Sequence, residues 1–299
     1  MSTQPAQHGV HAVITSYNPS LSLVEAVTSA TPQVRGVTVV DDGSSAGDAS
    51  RVLEACRRAG ASVLRHSSNQ GIAQALNSGT DSLKVDPPDW VLFLDQDSAT
   101  PAGYVAALVD AGVSASRAGV QVGMVAPESA ASIVHWGSGG RKTLPNGVVL
   151  GGEPITSGLL VAWRTLVELG GHDAGLFIDG VDTDFWLRAR SLGLNVVVAM
   201  STLLEHRLGQ GRTVRIGRRS IELTVARDFR YYYQARNLVV LVRRHGRQNP
   251  WWAVGAVVRQ LRHLTLITAL VPGRTSRLME TARGVGDGLR GREGRRPGQ

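Results

Sequence analysis

The sequence predicts an α/β fold in which helices flank a mostly parallel or mixed sheet, followed by a C-terminal helical extension. Strand patterns alternate with helical patterns over the first hundred residues, polar residues follow the strands, and arginine-rich helical patterns follow residue 225. Such alternation is typical of parallel sheets covered by helices on both faces. A chain of 299 residues buries a substantial core, as one large domain with an appendage or as two small domains.

Short apolar runs, the first of them rich in β-branched residues, predict the first strands, and a helical pattern follows each of the first three. The predicted strands are residues 10–15, 36–40, 61–65 and 90–94, and the predicted helices are residues 21–30, 49–59 and 69–83. Asn69 is placed as the N-cap of the third helix. Ligands of open α/β sheets bind at the carboxyl ends of the strands, so the polar residues there form the candidate site.

The middle of the chain changes in character. Residues 121–163 are rich in glycine and strand signals, which predicts mixed-sheet structure and loops. Residues 180–192 predict a helix with Asp182 and Asp184 in its first turn, where the helix dipole favours anions. Residues 195–199 predict the last strand of the core.

Two helices are predicted near the C-terminus, at residues 225–245 and 251–270. The second has the length of a membrane span, but Arg259, Arg262 and His263 in its middle predict that it lies on a surface. The predicted division is a disordered N-terminus at 1–9, an α/β domain at 10–210, a basic helical region at 211–283 and a disordered tail at 284–299.

The bulk composition is that of a soluble globular protein, with 42% hydrophobic and 19% charged residues. The single cysteine, Cys56, excludes an internal disulfide and a thiol-rich zinc site, which favours a reducing compartment. The segment Met1 to Gly9 is polar, so no signal peptide is predicted. These observations together favour the cytoplasm.

The charge is unevenly distributed along the chain. Residues 1–205 contain 12 Lys and Arg against 19 Asp and Glu, whereas residues 206–299 contain 20 Arg against 5 acidic residues. The basic part predicts an anionic partner, such as nucleic acid, phospholipid headgroups or a diphosphate-linked substrate. The alternative is a purely solubilising charge in a chain that favours arginine.

The tripeptide Asp95-Gln96-Asp97 follows the fourth predicted strand. Two carboxylates two residues apart at a strand end can share one hard cation, for which Mg²⁺ or Mn²⁺ is suited. A D-x-D tripeptide alone is more often a solvated turn, but its position after an apolar strand favours the metal site.

Two other strand ends carry polar loops. In Asp41-Asp42-Gly43-Ser44 an acid can accept hydrogen bonds from a nucleobase or ribose, and an Asx-type turn is the equal alternative. In the loop 15–18, Tyr17 offers a ring for stacking, and a simple strand exit is the alternative.

Two further features lie later in the chain. Asp182 or Asp184 can act as a general base. Alternatively, both only stabilise the start of the helix by interacting with its dipole. His206, beside Glu205, can give an imidazole ligand to the same metal, although a lone histidine is more often structural.

In combination these motifs resemble the glycosyltransferase family 2 enzymes of GT-A fold, a Rossmann-like fold, and within them the rhamnosyltransferase-like branch. The resemblance covers about residues 10–245, and each motif is weak alone but specific in this order. The matching stretches are ITSYNP (14–19), VVDDGSS (39–45), NQGIAQALNSG (69–79), FLDQDS (93–98), SGLLVAWRTLVELGGHD (157–173), FIDGVDTDFWLRAR (177–190), EHRLG (205–209) and RYYYQARNLVVLVRRH (230–245).

The resemblance implies roles for individual residues. It implies that Asp95 and Asp97 bind the metal and diphosphate, and that His206 completes the metal coordination. It gives Asp182 the place of the catalytic base, with Asp184 as the alternative because many relatives carry an acid pair here. The residues that it places around the nucleotide-sugar donor are Thr15, Tyr17, Asn18, Asp42, Asn69, Gly71, Asp95 and Gln96.

The resemblance also implies an inverting transferase with a divalent metal (Mg²⁺ or Mn²⁺) and a nucleotide-sugar donor, first dTDP-rhamnose and second a galactofuranose or other hexosyl donor. The implied acceptor is a cell-envelope glycan or a polyprenyl-diphosphate-linked glycan, used at the inner face of the cell membrane. The basic helix pair then rests on an anionic membrane surface, or alternatively forms a homo-oligomer interface or packs on the other domain.

Two other classes compete with this interpretation. A nucleic-acid-binding protein fits the basic tail, but the positive charge lies outside the α/β domain and no nucleic-acid motif is present, so no nucleic-acid partner is predicted. A nucleotidyltransferase also uses strand-end carboxylates, but Tyr17-Asn18-Pro19 stands where its glycine-rich phosphate loop would lie.

Overall fold

The computed structural model describes residues 9–45, 47–130, 140–206, 211–216, 219–296 and 298. The predicted disordered segment 1–9 lies outside these ranges except for Gly9. The chain divides into two compact units, of which the first comprises Met1–Ala174 and Asp182–Arg207 and the second comprises Gly175–Val181 and Leu208–Gln299. Within the described ranges, no helix combines the length and the apolar character needed to span a membrane.

The first unit alternates strands and helices, as predicted. Its strands are β1 (Val10–Ser16), β2 (Gly36–Asp41), β3 (Ala61–Arg65), β4 (Trp90–Asp95), β5 (Ser98–Ala99), β6 (Val122–Ala130), β7 (Lys142–Thr143), β8 (Val149–Gly151), β9 (Leu159–Ala162) and β10 (Asn195–His206). Its helices are α1 (Ser22–Ala30), α2 (Ala49–Arg58), α3 (Ile72–Asp81), α4 (Tyr104–Arg117), α5 (Trp163–Leu169) and α6 (Val181–Ser191). The sequence patterns did not predict α4.

The strands form one mixed sheet in the order β3-β2-β1-β4-β9-β6-β10-β8-β7, and β5 pairs with β10. The pairs β2–β3, β1–β2, β1–β4 and β6–β10 are parallel, whereas β9 runs antiparallel between β4 and β6. The predicted fold class, a mostly parallel to mixed sheet flanked by helices, is therefore confirmed.

The core of the first unit lies on both faces of this sheet. Strand β1 is buried along nearly its whole length, which explains its continuous apolar sequence. Helix α2 buries Val52, Leu53 and Cys56 and exposes its arginines. Helix α3 approaches β1 closely at Gly79, where an added Cβ would lie 2.4 Å from a methyl carbon of Val13. The helices thus hold the strand ends in fixed positions.

The second unit contains the antiparallel pair β11 (Gly211–Ile216) and β12 (Arg219–Thr224) and the helices α7 (Asp228–His245), α8 (Pro250–Leu270) and α9 (Arg274–Leu289). The prediction that residues 284–299 are disordered is wrong for 284–289, which belong to α9. An added Cβ at Gly284 would lie 2.2 Å from the carbonyl oxygen of Tyr232, and one at Gly288 would lie 2.8 Å from that of Arg236. These glycines allow α9 to pack tightly on α7.

A buried polar cluster holds the segment Gly175–Val181 within the second unit. The Asn237 side-chain nitrogen donates to the carbonyl oxygens of Leu176 (2.9 Å), Ile178 (2.8 Å) and Asp179 (2.6 Å). Arg236 donates to the carbonyl oxygen of Leu176 as well, at 2.8 Å. Asp179 has φ 65°, a left-handed conformation that is unfavourable for a residue other than glycine, so the side-chain bonds must stabilise this backbone.

We expect Asn237→Ala to lower the free energy of unfolding by about 2–4 kcal/mol, because buried carbonyl oxygens lose their donors. Urea denaturation followed by circular dichroism would measure the change. Gln248→Ala, at an exposed position of the same unit, is the matched control and should leave stability within about 0.5 kcal/mol. An Asn237→Ala chain as stable as this control would show that the cluster does not stabilise the segment.

Candidate active site

The carboxyl ends of β1, β2 and β4 lie side by side at one edge of the sheet. Thr15 is aligned with Asp95 of β4, and Ser16 is aligned with Asp41 of β2. Thr15, Ser16 and Asp41 are buried, whereas Asp95 is half-buried. The polar residues that follow the first, second and fourth predicted strands therefore converge at this edge, as expected from the topology.

Asp42 joins the loop after β2 to the loop before α3. Its carboxylate accepts hydrogen bonds from the backbone nitrogens of Gln70 and Gly71, each at 2.8 Å. His66 Nδ1 lies 2.8 Å from Asp42 Oδ1, and His66 Nε2 lies 2.9 Å from Ser78 Oγ. Asp42 is 5% exposed, so its carboxylate is a fixed acceptor that organises the loop.

The structure corrects the predicted position of the N-cap of α3. Gly71 is the N-cap, with φ 93°, a conformation that favours glycine, and α3 begins at Ile72. The Asn69 side-chain oxygen instead accepts a hydrogen bond from the Gly71 nitrogen at 3.2 Å, which makes a local turn. Asn69 and Gly71 therefore lie in the loop that Asp42 holds.

Asp41 and Asn18 stabilise the loop after β2 from inside. Asp41 is fully buried, hydrogen-bonds the Ser44 hydroxyl and accepts from Arg65 Nε at 3.0 Å. The backbone nitrogen of Asn18 donates to Ser44 Oγ at 2.7 Å, and Asn18 Oδ1 accepts from the Ser45 nitrogen at 3.2 Å. The loops after β1 and β2 thus form one hydrogen-bonded unit.

The loop after β1 is also bonded to the D-x-D motif. The backbone nitrogen of Tyr17 donates to Gln96 Oε1 at 3.0 Å, and Tyr17 is 45% exposed. The Tyr17 backbone therefore lies next to the D-x-D motif.

A serine pair fixes the D-x-D motif from the other side. The Asp95 nitrogen donates to Ser157 Oγ at 3.2 Å, and Ser157 Oγ lies 2.7 Å from Ser98 Oγ. Strand β5 pairs antiparallel with the end of β10, with His206 opposite Ser98 in the register. The His206 backbone therefore lies next to the motif, while its side chain lies outside what the structure describes.

The carboxylate groups of Asp95 and Asp97 are suitable ligands for a hard divalent cation. Both are half-buried carboxylates, and hydrogen bonds hold the motif at Asp95 and at Gln96. Among the described side chains, no group of three His, Cys, Asp or Glu residues gathers as a metal cluster. Mg²⁺ commonly uses one or two protein carboxylates and completes its shell with water and phosphate oxygens, which agrees with a two-carboxylate site.

Asp182 and Asp184 lie in the first turn of α6 but in different environments. Asp184 is 1% exposed and accepts from Arg188 Nε at 2.7 Å. Arg188 also donates to the carbonyl oxygens of Leu169 (2.8 Å) and Gly171 (2.9 Å), which ties α6 to the end of α5. Asp182 is half-buried, so it alone of the pair is partly open to solvent.

A buried histidine packs beneath this turn. His172 stacks on Phe185 with ring centroids 4.5 Å apart and meets Phe93 edge-on at 5.3 Å. Burial lowers the pKa of His172 to about 3, and the Arg188 guanidinium acts in the same direction. The ring is therefore neutral near pH 7 and contributes packing rather than charge.

The segment 153–158 links the D-x-D motif to the start of α6. Ser157 contacts the motif as described, and Glu153 hydrogen-bonds the hydroxyl of Thr183, the residue after Asp182. Four residues span at most about 14 Å when fully extended, so the two anchor points are close. Asp182 and Asp95 are therefore joined by a short chain of contacts.

Sequence reasoning gave no individual role to several supporting residues of this site: Ser44, Arg65, His66, Glu153, Ser157 and Arg188. His66 follows directly after β3, so the strand-end signal used for the other loops could have found it. Glu153 and Ser157 carry no comparable local signal.

Solved structures show the same fold. A mannosyltransferase from Pyrobaculum calidifontis in complex with GDP-Man and Mn²⁺ matches 95% of this chain and 87% of its own, with a TM-score of 0.52 and 15% identity. A glucosyl-3-phosphoglycerate synthase from Mycobacterium tuberculosis matches 80% of each chain with a TM-score of 0.51 and 15% identity. The chain thus has the GT-A fold of glycosyltransferases.

The sequence comparisons indicate the enzyme class and a similarity to one glycosyltransferase family. Over 297 residues the chain is 26% identical to a dTDP-rhamnosyl transferase of Shigella flexneri, covering 94% of this chain and 96% of the relative. Residues 12–149, which contain most of β1, all of β2 to β4 and the D-x-D motif, match the model of glycosyl transferase family 2. The chain is a glycosyltransferase, and the region around its D-x-D motif is similar to family 2.

Proposed function

We propose that the protein transfers L-rhamnose from dTDP-rhamnose to a hydroxyl group of a cell-envelope glycan, with inversion at the anomeric carbon. The similarity to a dTDP-rhamnosyl transferase over nearly the whole of both chains supports this donor. Galactofuranosyl or another hexosyl transfer is the alternative within the same family.

The single observation that carries the proposal is a series of hydrogen bonds, connected by short stretches of chain, at the sheet edge. It runs from the Asp42 loop through Asn18 and Tyr17 to Gln96. It continues through the segment 153–158 to the first turn of α6. Transfer from a nucleotide sugar requires that the nucleotide site, the metal-diphosphate site and the general base lie next to one another, because the reacting groups must be held together.

In the proposed mechanism, the acceptor hydroxyl oxygen bonds to the anomeric carbon while the bond from that carbon to the diphosphate oxygen breaks. Asp182 takes the hydroxyl proton as general base, and the nucleoside diphosphate leaves with the bonding electron pair. Asp184 is the positioning residue that fixes this turn through Arg188. A divalent cation held by Asp95 and Asp97 would neutralise charge on the leaving group, and His206 is proposed as a third ligand.

The proposed acceptor is a glycan on a polyprenyl diphosphate carrier, used at the inner face of the cell membrane. The excess of arginine in residues 206–299 supports an anionic partner for the second unit, such as a membrane surface. A homo-oligomer formed through the same region is the alternative.

A donor screen by thermal unfolding tests the proposal, because a ligand that binds only the folded state raises its stability. With Mn²⁺ or Mg²⁺ present, dTDP-rhamnose at 100 times its Kd should stabilise the protein by about 2.7 kcal/mol. The controls are dTDP, UDP and GDP, which separate nucleotide recognition from sugar recognition. Stabilisation by a galactofuranose or mannose donor but not by dTDP-rhamnose would contradict the proposed donor.

A further inference from the structure

Helix α8 exposes an apolar stripe on one face. Trp251, Val254, Val258 and Leu261 are 88%, 58%, 56% and 58% exposed, respectively. Their spacing of three, four and three residues places them on one side of the helix. The opposite side is buried within the second unit through Trp252, Ala253, Ala256 and Ile267. A stripe of this kind on a soluble protein usually marks an interaction surface.

Positive charge borders the stripe. Arg262 follows Val258 by four residues, so the two are neighbours on the helix surface, and Arg259 and Arg262 are both exposed. No acidic residue occurs in the sequence between Asp228 and Glu280, so α8 and its flanks carry only positive formal charge. The occupant of this face must therefore accept apolar side chains and supply negative charge.

The charge pattern favours a lipid surface over a second copy of the chain. A symmetric α8–α8 contact would bring together two helices that each carry Arg259 and Arg262 and no acidic residue, which charge repulsion disfavours. A bilayer containing anionic lipids supplies both requirements, since the apolar stripe enters the acyl boundary and the arginines meet the headgroups. Trp251, at the first turn of the helix, has the side chain that favours the membrane–water interface.

We infer that α8 docks the protein on an anionic lipid bilayer, lying parallel to its surface with the Trp251–Val254–Val258–Leu261 face inward. The inference deepens the proposed function by assigning the membrane contact to one helix face, and it rests on that function only for the lipid-linked acceptor.

Co-sedimentation of the full chain with vesicles tests the inference. The wild-type chain should bind vesicles of equal parts phosphatidylglycerol and phosphatidylcholine at low salt, and binding should fall at high salt and with pure phosphatidylcholine. Arg259→Gln with Arg262→Gln should lower the partition coefficient about fivefold for each arginine. Val254→Ser with Leu261→Ser should lower it about tenfold or more.

Matched controls lie in the first unit. Arg58→Gln with Arg117→Gln removes two exposed arginines, and Val85→Ser replaces a valine that is 97% exposed. These variants should bind vesicles like the wild type, and all variants should keep the wild-type helical circular dichroism.

Three outcomes would overturn the inference: no binding of the wild type to anionic vesicles, equal binding by the α8 variants, or a lipid-free dimer that the α8 variants convert to a monomer. The donor-dependent thermal shift of the same variants should stay unchanged, since it measures the other unit. If the wild-type chain failed to bind vesicles but kept its donor-dependent thermal shift, only the docking inference would be contradicted. If it bound vesicles but showed no donor-dependent shift, only the proposed function would be contradicted.

Discussion

Asp182→Asn is expected to lower kcat by about 10²–10⁴-fold while the Kd of the donor changes by less than about threefold. The amide keeps the shape of the carboxylate but cannot accept the proton of the acceptor hydroxyl. Rate measurements with saturating acceptor, combined with donor titration calorimetry, separate the two effects. A variant that turns over at the wild-type rate would remove Asp182 from the role of base.

Asp184→Asn is the matched control, because it makes the same chemical change two residues away. Asp184 is 1% exposed and paired with Arg188, so this change should destabilise the fold by about 1–3 kcal/mol. At a temperature where the variant is folded, its pH profile should keep the wild-type shape, since the base is still present. If Asp184→Asn removed the acidic limb of the pH–rate profile and Asp182→Asn did not, Asp184 would be the base instead.

The strands that form the candidate site were predictable, because the sequence pattern of each strand and of the loop after it is sufficient to indicate them. Strands β1 to β4 are short, largely apolar runs followed by polar residues, and parallel topology brings their ends together. The polar loops at 15–18 and 41–44 therefore lie at one edge, as expected.

Contacts between distant residues were not predictable from such patterns. The bond from the Asp95 nitrogen to Ser157 spans 62 residues, and the one from Thr183 to Glu153 spans 30 residues. Nothing in the local sequence around Glu153 indicates that it reaches α6. The different environments of Asp182 and Asp184 likewise involve distant residues. Arg188, the partner of Asp184, is oriented by the carbonyl oxygens of Leu169 and Gly171 at the end of α5.

The error at the C-terminus has the same origin. Glycine has low helix propensity, so the glycine-rich sequence from residue 284 predicts disorder when it is considered alone. In the structure, Gly284 and Gly288 face the α7 backbone at distances that exclude a Cβ atom, and close packing compensates for the propensity. A residue type that weakens an isolated helix is here the one that permits the tertiary contact.

Chelation of divalent cations is expected to abolish transfer, and added Mn²⁺ or Mg²⁺ should restore it. Asp97→Asn should lower kcat/KM by about 10²–10⁴-fold, because it removes one of two carboxylates proposed to hold the cation at the diphosphate. Its effect on the metal itself can be measured without turnover, by titrating Mn²⁺ into the protein with dTDP present and following the free-ion electron paramagnetic resonance signal.

Asp89→Asn provides the comparison, since Asp89 is an exposed carboxylate at the other end of β4. It should leave both Mn²⁺ binding and transfer unchanged, whereas Asp97→Asn should weaken both together. Transfer that persists in the chelator would contradict the proposed metal site directly. Weaker Mn²⁺ binding with undiminished transfer would do so as well, because a cation that stabilises the leaving group cannot be lost without slowing departure of the nucleoside diphosphate.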